Sequence, residues 1–167
     1  MLFRSRTGPI EVSATGEFSA ANRVWDTPVK FRVDARYANG VTISISGGHD
    51  DVRLGARFIG DEGWIRVDRS GIEAQPRSLL AKRIRGDEVR LRISNSHHGE
   101  FLECVKSRRT PLTPAETALR SATPGYLGLI SIRTGRTIRW DPDNEKIIGD
   151  SEAQRYLSRP MRAPWHL

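Results

Sequence analysis

The run from Pro28 to Ser46 constrains this chain more than any other feature. Val29, Phe31, Val33, Ala35 and Tyr37 alternate with Lys30, Arg32, Asp34 and Arg36, and Val41, Ile43 and Ile45 resume the alternation after Asn39-Gly40. A period of two puts one set of side chains on a buried sheet face and the other in water. Asn39-Gly40 tolerates positive φ at both positions, which predicts a hairpin closed by a type I′ turn. Ile10, Val12 and Ala14 alternate in the same way between Pro9 and Thr15. With 167 residues there is room for one such domain and a core to match.

The first half continues as a meander. Phe58-Ile59, the turn at Gly60 to Gly63 and Trp64 to Val67 predict a second hairpin, with Ile72-Glu73-Ala74 returning after Asp68 to Gly71. Consecutive hairpins imply a largely antiparallel sheet. Ser78 to Ala81 reads as a helical turn, and Val89, Leu91 and Ile93 as a further strand.

The period then changes. Asn95 or Ser96 caps an expected helix from His97 to Arg108, with His98, Phe101, Leu102 and Val105 on its packed face. Thr113-Pro114-Ala115-Glu116 reads as a capping box opening a second helix, which Pro124-Gly125 should kink or break and Gly135 should close. Arg136 to Trp140 predicts a strand, Asp141 to Asn144 a turn, and Lys146-Ile147-Ile148 a strand pairing back. Asp150 or Ser151 caps a short helix from Glu152 to Leu157. The expected class is α+β: an open, mainly antiparallel sheet with helices packed on one face. One domain is expected over 1–157, with an extended arm over 158–167.

The residues alone do not assemble a catalytic site. No G-x-G-x-x-G or G-x-x-x-x-G-K-[ST] run is present. Gly47-Gly48 follows a strand, but Asp50-Asp51 would repel a pyrophosphate. A single cysteine, Cys104, excludes an internal disulfide. His97, Glu100 and Cys104 fall roughly on one side of the expected helix, but their spacing matches no strong metal pattern, so no metal is assigned. No Ser sits in a G-x-S-x-G elbow. The carboxylate pairs Asp50-Asp51 and Asp61-Glu62 read as turn residues.

Charge is the remaining lead. The formal net charge is +7, and 23 of the 27 basic residues are Arg. They are interleaved with Asp and Glu along the whole chain, so a nucleic-acid partner is only the third-ranked reading. No apolar run is long enough to span a membrane, and none follows Met1 to Arg6 as a secretory leader would require. The cytoplasm is therefore the default expectation.

Several stretches together resemble one family. Gly8-Pro9-Ile10-Glu11-Val12, Asp26-Thr27-Pro28, Arg36 to Val41, Ser46-Gly47-Gly48-His49-Asp50 and Gly60 to Ile65 are similar to bacterial Gfo/Idh/MocA oxidoreductases. So are Ser96 to Arg108, Arg120 to Thr123, Gly135-Arg136, Arg139 to Pro142 and Ser158 to Trp165. The resemblance runs in order along nearly the whole chain, but only to the C-terminal part of such an enzyme.

It implies a large, open, mainly antiparallel sheet with helices on one side and a subunit interface on the other. Family members bind NAD(P) on a preceding Rossmann domain and transfer hydride to or from sugars and polyols. The family's catalytic Lys, in a Glu-Lys-Pro motif, precedes the matched region, and Glu145-Lys146-Ile147 does not reproduce it. No catalytic residue, cofactor site or metal site is therefore assigned to this chain, and NAD(P) is implied only for a full-length member. Pro124-Gly125 departs from a helix that is usually continuous in the family.

The leading expectation is thus a C-terminal substrate and oligomerisation domain, inactive alone, with a Rossmann-domain partner and a sugar or polyol ligand. Trp25, Arg53, His97 and His98 are the expected ligand-facing residues: Arg and His to bond hydroxyls, Trp to cover an apolar sugar face. The second reading is a non-catalytic assembly module. In it the outer sheet face, with Lys30, Arg32, Asp34, Arg36, Thr42, Ser44 and Ser46, pairs with a copy of itself.

Overall fold

The computed structural model describes residues 8–20, 25–90, 92–159 and 161–164. In chain order the strands and helices are β1 (Pro9–Phe18), β2 (Pro28–Tyr37), β3 (Thr42–Gly47), β4 (Ala56–Gly60), β5 (Gly63–Val67), β6 (Ile72–Gln75), α1 (His97–Ser107), α2 (Ala115–Thr134), β7 (Ile138–Asp141), β8 (Lys146–Ile147) and α3 (Ser151–Gln154). Short 3-10 turns cover Arg77–Ala81 and Arg155–Leu157. The chain forms two compact units: Met1–His49 with Thr113–Leu167, and Asp50–Leu112. The expected arm over 158–167 lies partly outside the described residues, at 160 and 165–167.

In the first unit five antiparallel strands run in the order β3-β2-β1-β7-β8. Register puts Val12 beside Ala35 and Ala35 beside Ile43, and likewise Ala14 beside Val33 and Val33 beside Ile45. These are the apolar positions of the alternation, and α2 covers them with Leu127 and Ile130. Ile10 leaves that series, because the pairing slips between Pro9 and Glu11. Ser131 is the one buried polar side chain among the described residues, and it is satisfied. Its hydroxyl donates to the Arg136 carbonyl (2.7 Å) and accepts the Ala14 amide (3.0 Å), past the point where β7 stops pairing with β1.

Three local expectations need correction here. The first hairpin does not close on a type I′ turn. Gly40 has φ 83°, whereas Asn39 does not enter the positive-φ region. The Gly40 amide donates to the Tyr37 carbonyl (3.0 Å) and the Tyr37 amide to the Val41 carbonyl (2.9 Å). This is a three-residue connection that needs one left-handed residue, not two. The capping box at Thr113 does not form: Pro114 is the N-cap, and Glu116 pairs with Arg120 (3.2 Å) instead. Nor do Pro124-Gly125 break α2, which is continuous. Pro124 is fully buried, and apolar burial offsets the one helix bond its missing N–H forfeits. Gly135 does end the helix, its amide donating to the Ser131 carbonyl (2.8 Å).

In the second unit β4, β5 and β6 form an antiparallel meander, as the turn residues predict. Residues 89–93 form no strand among those described, and Ile93 is 87% exposed. Helix α1 starts where expected, with the Ser96 hydroxyl accepting the Gly99 amide (3.0 Å). Its expected packed face is exposed instead: Phe101 is 60% accessible, and Leu102 and Val105 about as open. The reason is ionic. Glu100 Oε1 accepts from Arg92 Nη2 (2.6 Å), the Leu112 amide (2.9 Å) and Cys104 Sγ (3.3 Å). That anchor holds the side of α1 bearing Glu100 and Cys104 against the following segment, and Cys104 becomes the buried residue. Helix α1 belongs to this unit; the helices of the first unit are α2 and α3.

Candidate functional site

The expected ligand-facing residues divide between the two units. Trp25 lies in the first and is half exposed. Arg53, His97 and His98 lie in the second. Arg53 is engaged by Glu73, with Nη2 3.2 Å from Oε1. The His97 and His98 rings meet edge to face at the start of α1, 5.4 Å apart. Among the described residues no three His, Cys, Asp or Glu side chains gather as a metal site would require. Burial, with Glu100 alongside, raises the Cys104 thiol above its ordinary range, which suits an inert cysteine.

The outer face of the five-stranded sheet is a lattice of charge and hydroxyl. Register sets Glu11 beside Arg36 and Thr42, Ser13 beside Asp34 and Ser44, Thr15 beside Arg32 and Ser46, and Glu17 beside Lys30. Arg36 and Glu11 form an ion pair (3.3 Å), and the Ser44 hydroxyl donates to Asp34 (2.5 Å). Glu11 and Glu17 of this face stand on β1, and Asp34 with the bases Lys30, Arg32 and Arg36 on β2.

The first unit also holds a cleft of 1310 Å³ on its helical side. Its floor is Leu127, Ile130 and Trp140, above the sheet. One wall is the flank of α2 at Leu119, Thr123 and Tyr126; the other is the segment after α3, at Arg155, Tyr156 and Leu157. Helix α2 is therefore apolar on two sides. Leu119, Thr123, Tyr126 and Ile130 recur at four, three and four residues, a second stripe that sequence periodicity could have revealed.

Fixed ion pairs frame the cleft. Arg133 Nη2 donates to Asp26 Oδ2 (2.5 Å), and this guanidinium holds the Asp26 carboxyl below its ordinary range. Arg136 is clasped by Asp150 and Glu152. Its hydrogen bond, with that of the Ala153 amide, lowers the Asp150 carboxyl.

Residues 1–167 match the family described as "Oxidoreductase family, C-terminal alpha/beta domain", of Gfo/Idh/MocA type. No curated protein gives a significant match. Among solved structures, the aldose-aldose oxidoreductase from Caulobacter crescentus complexed with glycerol superposes with a TM-score of 0.58 at 17% identity. The match covers 80% of this chain and 42% of that one. The NAD-binding protein from Listeria innocua gives 0.54 at 14% identity, over 83% of this chain and 47% of its own. At such identities the likeness concerns fold. It agrees with the mostly antiparallel α+β architecture, and the chain spans less than half the length of either neighbour. The chain belongs to the Gfo/Idh/MocA oxidoreductase family as a C-terminal alpha/beta domain.

Proposed function

We propose that this chain is the substrate and oligomerisation half of an NAD(P)-dependent sugar or polyol oxidoreductase, and that it does not turn over substrate alone. The match of residues 1–167 to the family's C-terminal domain carries this reading. It is supported by the pairing of the strands, which is antiparallel throughout the described residues. A dinucleotide fold uses parallel strands with a Gly-rich turn at a helix N-terminus. Hydride transfer would then take place on a Rossmann partner; Trp25 in the first unit, and Arg53, His97 and His98 in the second, are the proposed ligand-facing residues, each within its own unit. Titration of NADH fluorescence tests this: no saturable binding by this chain alone is expected, and tight binding would overturn the proposal.

The outer sheet face supports the accompanying assembly role. A two-fold axis parallel to the strands, midway between β1 and β2, lays the two acids of β1 in one copy over bases of β2 in the other. Glu11 then faces Arg36, and Glu17 faces Lys30, of the second copy. Sedimentation equilibrium should give a dimer.

A further inference from the structure

We infer that residues 50–112 open as a unit of their own while the five-stranded sheet and its helices stay folded, which makes this segment a local order–disorder element of the chain.

The buried apolar side chains of the described residues belong almost wholly to the first unit. Val12, Val33, Ala35 and Tyr37 come from before residue 50, and Leu127, Ile130, Ile138 and Trp140 from after residue 112. Strand β1 pairs with β7 across that interval of sequence, Val12 beside Ile138. The sheet and α2 thus close their core without a side chain from the second unit. Burial of apolar surface is what offsets the entropy of an ordered chain, and the first unit has it.

The second unit does not. Cys104 is its one buried apolar residue among those described. Register aligns Ala56, Val67 and Ile72, and likewise Phe58, Ile65 and Ala74, on one face of the meander. Yet Phe58 and Ile72 on that face are 52% and 56% exposed. Three strands need a packed apolar face to be stable on their own. Helix α1 is equally open at Phe101, Leu102 and Val105, and its 11 residues are too few for backbone bonds alone to hold a helix.

Polar contacts, mostly exposed, hold this unit together. Arg53 and Arg66 converge on Glu73 at 3.2 and 3.5 Å, Lys82 pairs with Glu62, and Arg57 lies over the Trp64 ring at 4.3 Å. Exposed ion pairs add little net stability, because water screens them and two long side chains lose freedom. Little buried apolar surface is the mark of a segment that opens well below the free energy of global unfolding, and elements that move or order on binding come from that end of the scale.

Amide hydrogen exchange of the full chain tests this, with the reaction of Cys104 with a disulfide reagent as a second probe of the same unit. Protection is expected to be at least tenfold lower in β5, the central strand of the meander, than in β2, which is paired on both sides. Urea below the unfolding midpoint should speed exchange steeply in β2 and only slightly in β5 and at Cys104, because the slope follows the surface exposed on opening. Gly128→Ala, which disturbs the packing of α2 on Val33, should speed β2 exchange at least fivefold and leave β5 exchange and Cys104 labelling unchanged. The urea series needs no substitution and decides the matter even if that variant does not fold. Equal protection in the two strands, a common urea slope, or Cys104 labelling that rises with Gly128→Ala as much as β2 exchange does makes the chain one cooperative unit and overturns the inference.

Discussion

Val33 occupies the notch that Gly128 leaves in the side of α2. A Cβ on Gly128 would lie 2.5 Å from Val33 Cγ2 and 2.7 Å from Cγ1, so the helix sits closer to β2 than any larger residue permits. Gly128→Ala should therefore destabilise by about 1–3 kcal/mol despite better helix propensity. Val33→Ala in that background should recover part of the loss. Urea denaturation of the two variants checks both signs.

Ser131→Ala leaves the Ala14 amide without its acceptor inside the sheet–helix interface. The cost of a buried unsatisfied donor is about 1–3 kcal/mol. Hydrogen exchange should show the Ala14 amide losing protection out of proportion to its neighbours in β1.

The Arg136–Asp150 clasp sets an acid limit. The Asp150 carboxyl titrates below its ordinary range, chiefly through the Arg136 hydrogen bond and the Ala153 amide. A group depressed in the folded state adds stability above its unfolded pKa, about 3.9, and loses it as pH falls through the folded value. Melting temperature should therefore drop below about pH 4, and Asp150→Asn should flatten that part of the profile.

Cys104 is buried, and its thiol lies above the ordinary range because burial and Glu100 disfavour the thiolate. At pH 8 a disulfide reagent should react with the native chain at least tenfold more slowly than with the chain in denaturant.

If the outer sheet face pairs two copies, Glu17→Lys and Lys30→Glu should each weaken the dimer, and the double exchange should restore much of it. Single reversals at such a pair change affinity several-fold at low salt and less at high salt. Sedimentation of the three variants at two ionic strengths decides the matter.

The strands and most helix ends are set by local chemistry. The alternations around Pro9–Thr15, Pro28–Tyr37 and Thr42–Gly47 fix which side chains face α2, because a pleated strand has only two sides. Ser96, Gly135 and Asp150 mark helix ends through bonds made within a few residues. Tertiary structure decided the rest. Helix α1 turns Phe101 outward because Glu100 is held by Arg92 and by Leu112, twelve residues on, and no periodicity encodes such an anchor. Helix α2 runs through Pro124 because burial of that ring against the sheet outweighs one lost backbone bond, a balance visible only once the sheet is in place. The cleft, likewise, exists because the chain after α3 returns beside Leu119 and Tyr126, residues far earlier in the sequence.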